Sequence, residues 1–552
     1  MATGGDAHFD YIVVGAGSAG CVVAARLSED PNVNVLLFEA GGSNNHLYLT
    51  MPLAFLKAMP DPRFNWTYWT EPEPHLDGRR MPLPRGRVMG GSGSINGMFA
   101  MRGHPKDYDQ WAQMGARGWS YAEVLPYFKK LEDSWRGEGT YHGKGGPVAV
   151  RPIDSPHLLH DPMMATARAA GFAPTDDLAG EHPEGFARGE QSVDRRGRRV
   201  SAATAYIKPA LGRKNLEVRS GVLVRRVVFE GKRAVGVELD TPDGPRVVRA
   251  GREVILSGGA YNSPHLLMLS GVGPAEHLKS HGIQVVHDSA GVGRNLQEHP
   301  CASLEWNAKR PVTFLNQLRL DKVAWNSLRW MLTGTGPMAT QVNSCNVVIR
   351  TAPHLERPDL QIMVNPIRFD AQMWFPGWRK VQEHVFWAGI VQLHPESRGW
   401  VELKSADPRE VAAVTLNVMA EEADLEQMRR SIRVARKIYN TPPMGDLVGA
   451  ERAPSAGAES DEELNALIRA TCYVGQHPTS TCAMGLGERS VLDAECRVIG
   501  VEGLRVIDAS AMPTVPGGNT NLPTIMLAEK AADLIKGKSL PAAELPAERE
   551  AA

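Results

Sequence analysis

The chain has 552 residues, of which 43% are hydrophobic and 22% are charged, values ordinary for a globular protein. This composition excludes a disordered chain, a collagen and a coiled coil, and at roughly 100 to 200 residues per domain it allows two to four compact units. Lysine and arginine number 61 against 62 acidic residues, so the net charge is −1 and lacks the basic excess of nucleic-acid-binding proteins. We therefore expect a small-molecule partner and no nucleic acid.

Cysteine content and hydropathy exclude further classes. The six cysteines show no CxxC spacing, so we expect neither a disulfide framework nor a metal site. Residues 1–8 lack the basic and apolar regions of a secretory signal, and no stretch approaches the ~18 apolar residues of a membrane span. We expect a cytoplasmic protein. Peripheral contact with a membrane stays open, because a patch built from distant segments is invisible in sequence.

The first forty residues predict a nucleotide-binding unit. Residues 9–14 form an apolar, β-branched run, residues 15–20 read GAGSAG, and residues 21–27 have helical spacing. A second strand over 33–38 ends in Glu39, whose carboxylate is suited to a ribose 2′-hydroxyl. Glycines at such a turn let a pyrophosphate approach the helix N-terminus, which predicts a cofactor containing ADP. The residues predicted to bind it are Gly15, Gly17, Ser18, Ala19, Gly20, Glu39 and Ala40.

A second interpretation overlaps this turn. Residues 16–20 also resemble an imperfect nucleophile elbow, in which Ser18 would serve an α/β-hydrolase. Ala16 replaces the first glycine of that motif, and the segment precedes the sheet that normally leads into such an elbow. The hydrolase is therefore the weaker alternative.

Later segments predict two kinds of sheet. Residues 252–259 read as a strand ending in two glycines, followed by a helix that Ser263 would cap and Pro264 would begin. Residues 504–508 read as another strand of this α/β sheet, followed by a helix from Pro523 to about residue 536. Between them, alternating stretches such as 360–364 and 400–404 favour an antiparallel sheet with one covered face.

Four further motifs carry a family resemblance. Residues 86–97 read GRVMGGSGSING, residues 259–273 read GAYNSPHLLMLSGVG, and residues 292–299 read VGRNLQEH, while a C-terminal segment runs from His477-Pro478 to residues 519–521. Together with the N-terminal fingerprint, and in this order, they resemble the glucose-methanol-choline (GMC) oxidoreductases. These are FAD-dependent alcohol dehydrogenases and oxidases, and the chain looks like their choline-dehydrogenase-like branch.

The resemblance implies a two-domain α/β fold, α+β overall. A discontinuous Rossmann-like FAD-binding domain is expected over 7–155, 214–307 and 471–538. A substrate-binding domain with a mostly antiparallel sheet flanked by helices is expected over 156–213 and 308–470. The Ala-, Pro- and Glu-rich tail over 539–552 is expected to be disordered.

The resemblance also implies where FAD is held. In some members a histidine of the glycine-rich segment bonds covalently to the flavin, and Ile95 stands at that position here, so we expect non-covalent FAD. The further cofactor-binding residues implied are Trp66, Arg87, Gly90, Gly91, Asn96, Gly97, Met98, Val224, Asp508, Ala509, Asn519 and Thr520.

His477 and Asn519 match the active-site positions of the family. An imidazole suits the removal of a hydroxyl proton, so His477 is the expected general base, and Asn519 is expected to orient the alcohol oxygen. The substrate residues expected are Met363, Trp374 and Gln476.

The expected reaction is oxidation of a primary alcohol to the aldehyde by hydride transfer to flavin N5. An aliphatic, aryl or ether alcohol, polymeric ones included, is favoured over choline, because no cage for a quaternary ammonium is recognisable. The expected electron acceptor is a quinone, a cytochrome, an artificial dye or oxygen, with a dehydrogenase favoured over an oxidase. A lyase of the hydroxynitrile type, with a purely structural flavin, is the alternative within the same fold.

Overall fold

Two seven-stranded sheets organise the chain in a computed structural model that describes residues 8–546. The strands are β1 (Phe9–Val14), β2 (Val35–Glu39), β3 (Tyr68–Trp69), β4 (Pro82–Leu83), β5 (Glu132–Ser134), β6 (Val148–Pro152), β7 (Gly185–Arg188), β8 (Glu190–Gln191), β9 (Leu216–Ser220), β10 (Leu223–Glu230), β11 (Arg233–Asp240), β12 (Arg246–Leu256), β13 (Val272–Gly273), β14 (His287–Asp288), β15 (Pro300–Ala308), β16 (Cys345–Ile349), β17 (Leu360–Asn365), β18 (Val385–Gln392), β19 (Trp400–Glu402), β20 (Ala413–Thr415), β21 (Val448–Glu451), β22 (Tyr473–Val474) and β23 (Leu504–Val506). The helices are α1 (Ser18–Leu27), α2 (Leu47–Thr50), α3 (Phe55–Ala58), α4 (Pro105–Gln113), α5 (Tyr121–Leu131), α6 (His160–Ala170), α7 (Lys208–Ala210), α8 (Gly259–Leu269), α9 (Ala275–Ser280), α10 (Leu320–Thr333), α11 (Glu422–Asn440), α12 (Asp461–Thr471) and α13 (Asn521–Ile535).

The first sheet is a parallel α/β sheet with an antiparallel extension. Strands β12, β1, β2 and β9 lie side by side in parallel, and β23 joins in parallel on the far side of β12. The first part of β12 pairs antiparallel with β11, which pairs with β10. Every residue of β1 is buried, as a strand covered on both faces requires. This arrangement confirms the Rossmann-like sheet that the sequence predicts from the beginning, middle and end of the chain.

The second sheet is antiparallel throughout, in the order β21-β15-β18-β17-β16-β7 with β22 beside β15. Helices α6, α11 and α12 pack against it, and its strands share a hydrophobic core with them. The fold class is therefore the predicted one. The predicted stretch over 360–364 forms β17, whereas the stretch at 400–404 forms β19 in a separate two-stranded sheet with β20.

Two helices begin earlier than the sequence predicts. Helix α8 begins at Gly259, so Ser263 is not its N-cap and Pro264 lies inside the helix. The Ser263 hydroxyl instead accepts from the amide of Gly258 and donates to Asp508 Oδ2, at 2.9 and 2.5 Å. The Ser263 hydroxyl therefore binds a residue distant in sequence and does not have the capping role that the local sequence predicts. Helix α13 likewise begins at Asn521, two residues before Pro523.

Two domain assignments need correction. Residues 300–307, placed by the sequence in the FAD-binding domain, lie in β15 and belong to the antiparallel sheet, because residues 301–307 pair with β18 and Pro300 pairs with β22. The tail is ordered at least to residue 543, since the Leu540 amide donates to the Tyr127 hydroxyl and the Ala543 amide to the Ala122 carbonyl. Both partners lie on α5. Residues 547–552 of the predicted disordered tail, and residue 7 of the first domain, lie outside the described residues.

A buried ion cluster gives a stability prediction. His142 Nδ1 lies 3.2 Å from Glu132 Oε2 and its Nε2 lies 2.8 Å from Asp177 Oδ2, while Arg102 also binds Glu132. Burial alone lowers the pKa of His142, but the hydrogen bonds to Asp177 and Glu132 outweigh it and raise the pKa to about 9. The stabilisation is therefore present in full below the unfolded pKa of 6.5 and is lost as the pH rises through 9.

We expect His142→Gln to lower the Tm at pH 6 by about 2 °C or more and to have a smaller effect at pH 10. Thermal unfolding followed by circular dichroism at both pH values measures the difference. His157→Gln, a change of an exposed histidine, is the control. An equal effect of His142→Gln at both pH values would contradict the charged state of His142.

Candidate active site

A cavity of about 970 Å³ extends from the glycine turn after β1 to His477. Its size is at the upper end of the range for small-molecule and cofactor sites. Most of the predicted cofactor residues line it, namely Gly15, Gly17, Ser18, Ala19, Glu39, Ala40, Trp66, Gly91, Asn96, Gly97, Met98, Val224, Asp508, Ala509, Asn519 and Thr520. The predicted residues that do not line it are Gly20, Arg87, Gly90 and Trp374.

The glycine turn leaves the N-terminus of α1 open toward the cavity. Gly17 is the N-cap of α1 and no side chain caps the helix, so backbone N–H groups of the first turn are left for a ligand. A Cβ at Gly20 would lie 1.9 Å from the Gly15 carbonyl oxygen. Gly20 therefore lets the turn close behind the site without lining it. An open helix N-terminus of this kind fits the diphosphate of FAD.

Glu39 closes the turn from the end of β2. Its carboxylate accepts from the amides of Ala16 and Gly41, at 3.0 and 2.8 Å, and 5% of the residue is exposed. Burial raises the pKa of Glu39 to about 7, although the two amides and the charge of Arg87 oppose this. Each oxygen retains a lone pair, so the carboxylate can still accept from a ribose hydroxyl. Arg87 itself is exposed and lies over the Trp66 ring, 4.8 Å from its centre.

The second glycine-rich loop packs directly against the first. A Cβ at Gly91 would lie 2.7 Å from the Gly17 Cα, and Gly91 has a φ of +54°, so both space and backbone require glycine. Gly90 supports this contact from outside the cavity, where its amide donates to the Ala16 carbonyl. The two loops together form one wall of the cavity.

Arg199 supports this wall and was not predicted from the sequence. The residue is 4% exposed, and its Nη1 donates to Asn96 Oδ1 at 2.7 Å and to the Gly93 carbonyl at 3.3 Å. Its Nε and Nη2 have no protein partner, and burial lowers its pKa to about 9. Two of its nitrogens are therefore buried without a protein partner, although Arg199 itself does not line the cavity. Nothing in the basic run 195–199 distinguishes this arginine from its exposed neighbours.

Helix α13 brings a second N-terminus to the same cavity. Thr520 is its N-cap without a side-chain cap, and Ser18 Oγ donates to Asn521 Oδ1 at 2.7 Å, which joins the starts of α1 and α13. The partial positive charges of two helices therefore converge on one site. The same bond is evidence against the hydrolase alternative, because an amide oxygen cannot activate Ser18 as a nucleophile.

Asp508 organises the floor between these helices. Its carboxylate accepts from the amides of Gly259 and Ser510 and from the hydroxyls of Ser263 and Ser510, at 2.5 to 2.8 Å. Burial raises the pKa of Asp508, and these four donors oppose the rise. With its oxygens occupied, Asp508 positions the start of α8 at the cavity wall.

His477 and Asn519 meet at the other end of the cavity. Asn519 Nδ2 lies 2.9 Å from His477 Nε2, and both residues line the cavity. Gln361 of β17 donates to Asn519 Oδ1 at 3.5 Å, so the antiparallel sheet supports the amide orientation. Because the Asn519 amide nitrogen only donates, His477 Nε2 is the unprotonated nitrogen of a neutral imidazole.

His299 fixes the other side of the His477 ring. The two Nδ1 atoms lie 3.0 Å apart, so the Nδ1 proton of His477 is donated to His299. Glu298 holds both residues in place, since its Oε1 accepts from the amides of His477 and His299 at 2.6 and 2.9 Å. Burial, then the neighbouring His299 and Arg85, lower the pKa of His477 well below 6.5. The imidazole is thereby kept neutral and able to accept a proton.

Gln476 is held by Arg85 rather than left free in the cavity. Arg85 Nη2 donates to both the carbonyl and the Oε1 of Gln476, each at 2.9 Å. Gln476 has a φ of +66°, a left-handed conformation that costs energy in a residue with a side chain. The arginine clamp offsets this strain immediately before His477. Sequence reasoning assigned no role to Arg85, Glu298 or His299, although the last two lie in the quoted motif at 292–299.

Of the predicted substrate residues, Met363 and Gln476 line the cavity and Trp374 does not. Trp374 lies in the outer loop after β17, where its Nε1 donates to the Leu315 carbonyl at 3.1 Å. Proximity in sequence to β17 is therefore misleading, because the chain leaves the cavity after the strand ends. Aromatic side chains that sequence reasoning did not identify also line the cavity, namely Phe55, Tyr68, Trp69, Phe99, Tyr261, Phe369, Trp387 and Tyr473.

Comparison with known proteins identifies the family of the chain. The family models described as GMC oxidoreductase match residues 9–301 and 395–528. The oxygen-dependent choline dehydrogenase of Brucella anthropi is 42% identical over 534 residues, which are 96% of each chain. Pyridoxine 4-oxidase from Mesorbium loti superposes with a TM-score of 0.85 at 28% identity, over 97% of this chain and 100% of that one. Formate oxidase from Aspergillus oryzae superposes with a TM-score of 0.89 at 26% identity, over 97% and 99%.

The fold and the site define a flavin-dependent oxidoreductase. The chain belongs to the GMC oxidoreductase family. It is an FAD-dependent enzyme that oxidises alcohols, similar to choline dehydrogenases.

Proposed function

We propose that this enzyme oxidises a neutral, largely apolar primary alcohol to the aldehyde, with His477 as general base and Asn519 as the residue that orients the alcohol oxygen. The observation that carries the proposal is the 2.9 Å contact between the Asn519 amide and the unprotonated Nε2 of His477 at the cavity wall. A hydroxyl placed between these groups would donate its proton to Nε2 and accept from the amide.

The chain's own residues prepare this proton transfer. His299 and Glu298 hold the imidazole so that Nε2 faces the cavity, and burial keeps it neutral before the alcohol arrives. Asn519 stabilises the oxygen as it becomes alkoxide-like. Bound FAD supplies the hydride acceptor, flavin N5. We propose that the predicted residues lining the cavity contact FAD, with Glu39 at the ribose and the starts of α1 and α13 at its anionic groups.

The charges around the cavity support a neutral substrate. Arg79 and Arg85 line it beside the segment that precedes His477, where Arg79 donates to the Cys472 carbonyl and Arg85 to Gln476. Among the described residues, the acidic ones that line it are Glu39, Asp508 and Glu410. The first two are engaged as described above, and Glu410 is exposed. A cationic alcohol such as choline would therefore meet arginines, while Glu298, the carboxylate beside His477, does not line the cavity and accepts from two backbone amides.

The first experiment is anaerobic reduction of the purified holoenzyme, followed by flavin absorbance. We expect benzyl alcohol, butan-1-ol and 2-ethoxyethanol to bleach the flavin. Choline and its neutral isostere 3,3-dimethylbutan-1-ol form the matched pair. The isostere should give a kcat/KM at least about tenfold higher than that of choline, which corresponds to a free-energy difference of roughly 1.4 kcal/mol. A preference for choline would overturn the neutral-substrate proposal while leaving the alcohol oxidation intact.

The same experiment separates the remaining alternatives. Flavin that never bleaches with any alcohol, together with cleavage of a cyanohydrin, would favour the lyase, which the relatives described above do not support. We propose a dehydrogenase, so that admission of air should recolour the reduced flavin slowly while a quinone or an artificial dye recolours it rapidly. Rapid recolouring in air would instead identify an oxidase.

We also propose that FAD is bound without a covalent bond. Ile95 lines the cavity and packs in a buried cluster with Leu49, Phe64 and Val88, so an aliphatic carbon stands where covalent attachment needs a nucleophilic nitrogen. Precipitation of the holoenzyme with trichloroacetic acid should leave essentially all the flavin in the yellow supernatant. Flavin that stays with the pellet would contradict this proposal.

A further inference from the structure

Helix α10 and the loop over 366–382 expose an unusual set of apolar side chains. Trp325 is 66% exposed, Leu332 76% and Trp378 57%. We call this set the α10 patch. Its members on α10 are Leu320, Trp325, Leu328, Met331 and Leu332, and those on the loop are Phe369, Met373, Phe375, Trp378 and Val381. Isolated exposed apolar residues are common, but ten on one helix and one adjoining loop are typical of an interaction surface.

The patch is part of the fold and not a loosely attached segment. The Leu320 amide donates to the Trp374 carbonyl at 2.9 Å, and the Trp374 amide donates to the Leu318 carbonyl at 3.2 Å, which joins the loop to the start of α10. Asn326 and Trp330 bury the inner face of α10, and the Trp330 Nε1 donates to the Gly197 carbonyl. Trp325, Leu328 and Leu332 are spaced i, i+3, i+7 on the opposite face. The inner face of the helix is therefore covered, whereas its apolar outer face is exposed.

The charges around the patch indicate what covers the outer face. Segments 319–333 and 366–382 contain six basic and two acidic residues, a net charge of +4 in a chain whose total is −1. Both acidic residues are paired within these segments, Asp321 with Arg319 and Asp370 with Arg368. Lys322, Arg329, Arg379 and Lys380 thus add positive charge beside exposed tryptophans. This combination is typical of helices that lie in the interface of an anionic bilayer.

The patch also reaches the active-site cavity. Phe369 is 41% exposed, yet it lines the cavity and packs edge-on against Trp387, another lining residue, at 4.4 Å between ring centres. Among the described residues, no helix combines the length and hydropathy needed to span a bilayer. Contact with a membrane would therefore be made from one side, by a surface that borders the cavity.

We propose that the α10 patch docks this enzyme on the surface of an anionic lipid bilayer. Its tryptophans and leucines enter the headgroup region, and the four flanking cations bind lipid phosphates. One opening of the cavity then lies at the lipid surface, where an apolar alcohol or a lipid-soluble electron acceptor is concentrated.

Vesicle flotation with the holoenzyme tests the proposal. We expect the enzyme to float with phosphatidylcholine vesicles that contain about a third phosphatidylglycerol, and to bind pure phosphatidylcholine more weakly. The triple variant Trp325→Ser, Leu328→Ser, Leu332→Ser should bind at least about tenfold more weakly, as should Lys322→Gln, Lys380→Gln. The matched control is Leu211→Ser, Leu486→Ser, which removes equally exposed leucines from other segments and should bind like the wild type.

Because all these side chains are exposed, unchanged far-UV circular dichroism and bound flavin should accompany each variant. A wild-type enzyme that stays unbound, or a patch variant that floats as well as the control, would overturn the proposal. So would a wild-type dimer in solution that the triple variant dissociates while no form binds vesicles, since the patch would then join two copies of the chain.

Discussion

His477→Ala is expected to retain bound FAD and to reduce the rate of flavin bleaching by alcohol about 10²- to 10⁴-fold, the usual contribution of a general base. The FAD sites proposed at the glycine loops and the two helix N-termini do not depend on this side chain. Anaerobic stopped-flow absorbance measures the bleaching rate, and the flavin-to-protein ratio measures retention. His160→Ala, which changes a half-buried histidine of α6 outside the cavity, is the control and should reduce flavin at the wild-type rate.

A near-normal rate in His477→Ala would remove the residue from the role of base. Loss of FAD would leave the role undecided for that variant, so His477→Gln is the companion change, since its amide retains a hydrogen-bonding group toward His299. Slow bleaching in both variants with full flavin content is the expected result. The effect should appear in the limiting rate of flavin reduction at saturating alcohol, and not only in the alcohol concentration at which half of that rate is reached. The reason is that the base acts on alcohol that is already bound.

Asn519→Asp is expected to lower kcat/KM about 10²- to 10³-fold at neutral pH. An ionised carboxylate cannot donate to the alcohol oxygen, and at 2.9 Å from His477 Nε2 it would stabilise the imidazolium. The pKa of His477 would therefore rise, and the base would be protonated over a wider range of pH. Steady-state kinetics as a function of pH, with an artificial dye as acceptor, provides the measurement.

The pH profiles distinguish this effect from simple disruption. Burial lowers the pKa of His477 in the wild type well below 6.5, so kcat/KM should stay level as the pH falls through 6.5. In Asn519→Asp it should fall with decreasing pH, because the raised pKa brings the protonated form into that range. Asn519→His retains an N–H donor and should keep most of the activity. If kcat/KM of Asn519→Asp did not change with pH in this range, the contact between residue 519 and His477 would not be the cause of the lower activity.

Predictions from local sequence succeeded where the signal lies within one short segment. The GAGSAG turn specifies its own strand and helix, since β1 occupies the predicted residues and a Cβ at Gly20 would collide with the Gly15 carbonyl oxygen of the same turn. Ordered motifs then identified the family and FAD, which the comparisons confirm. The roles of His477 and Asn519 remain predictions, but the structure brings both to one cavity.

Predictions failed where a long-range contact outweighed the local pattern. Ser263 binds Asp508, 245 residues away, and therefore does not cap α8. Trp374 lies near β17 in the chain, but its side chain is held outside the cavity by a hydrogen bond to the Leu315 carbonyl. The tail beyond residue 538 has a composition typical of disorder, yet its backbone amides find partners on α5.

By itself the sequence determined the family and the cofactor, and it predicted the nucleotide-binding turn and the pair His477 and Asn519, because each rests on residue types at fixed spacing. Only the tertiary structure decided how that pair is held. His299 and Glu298 act on His477 from 178 and 179 residues away, and Arg85 holds Gln476 from 391 residues away. Arg199 supports the glycine loop from 103 residues beyond Asn96. Such contacts set the protonation state and the burial of His477 and Arg199. Both properties depend on all the atoms packed around a side chain, and the order of residues along the chain does not reveal which atoms those are.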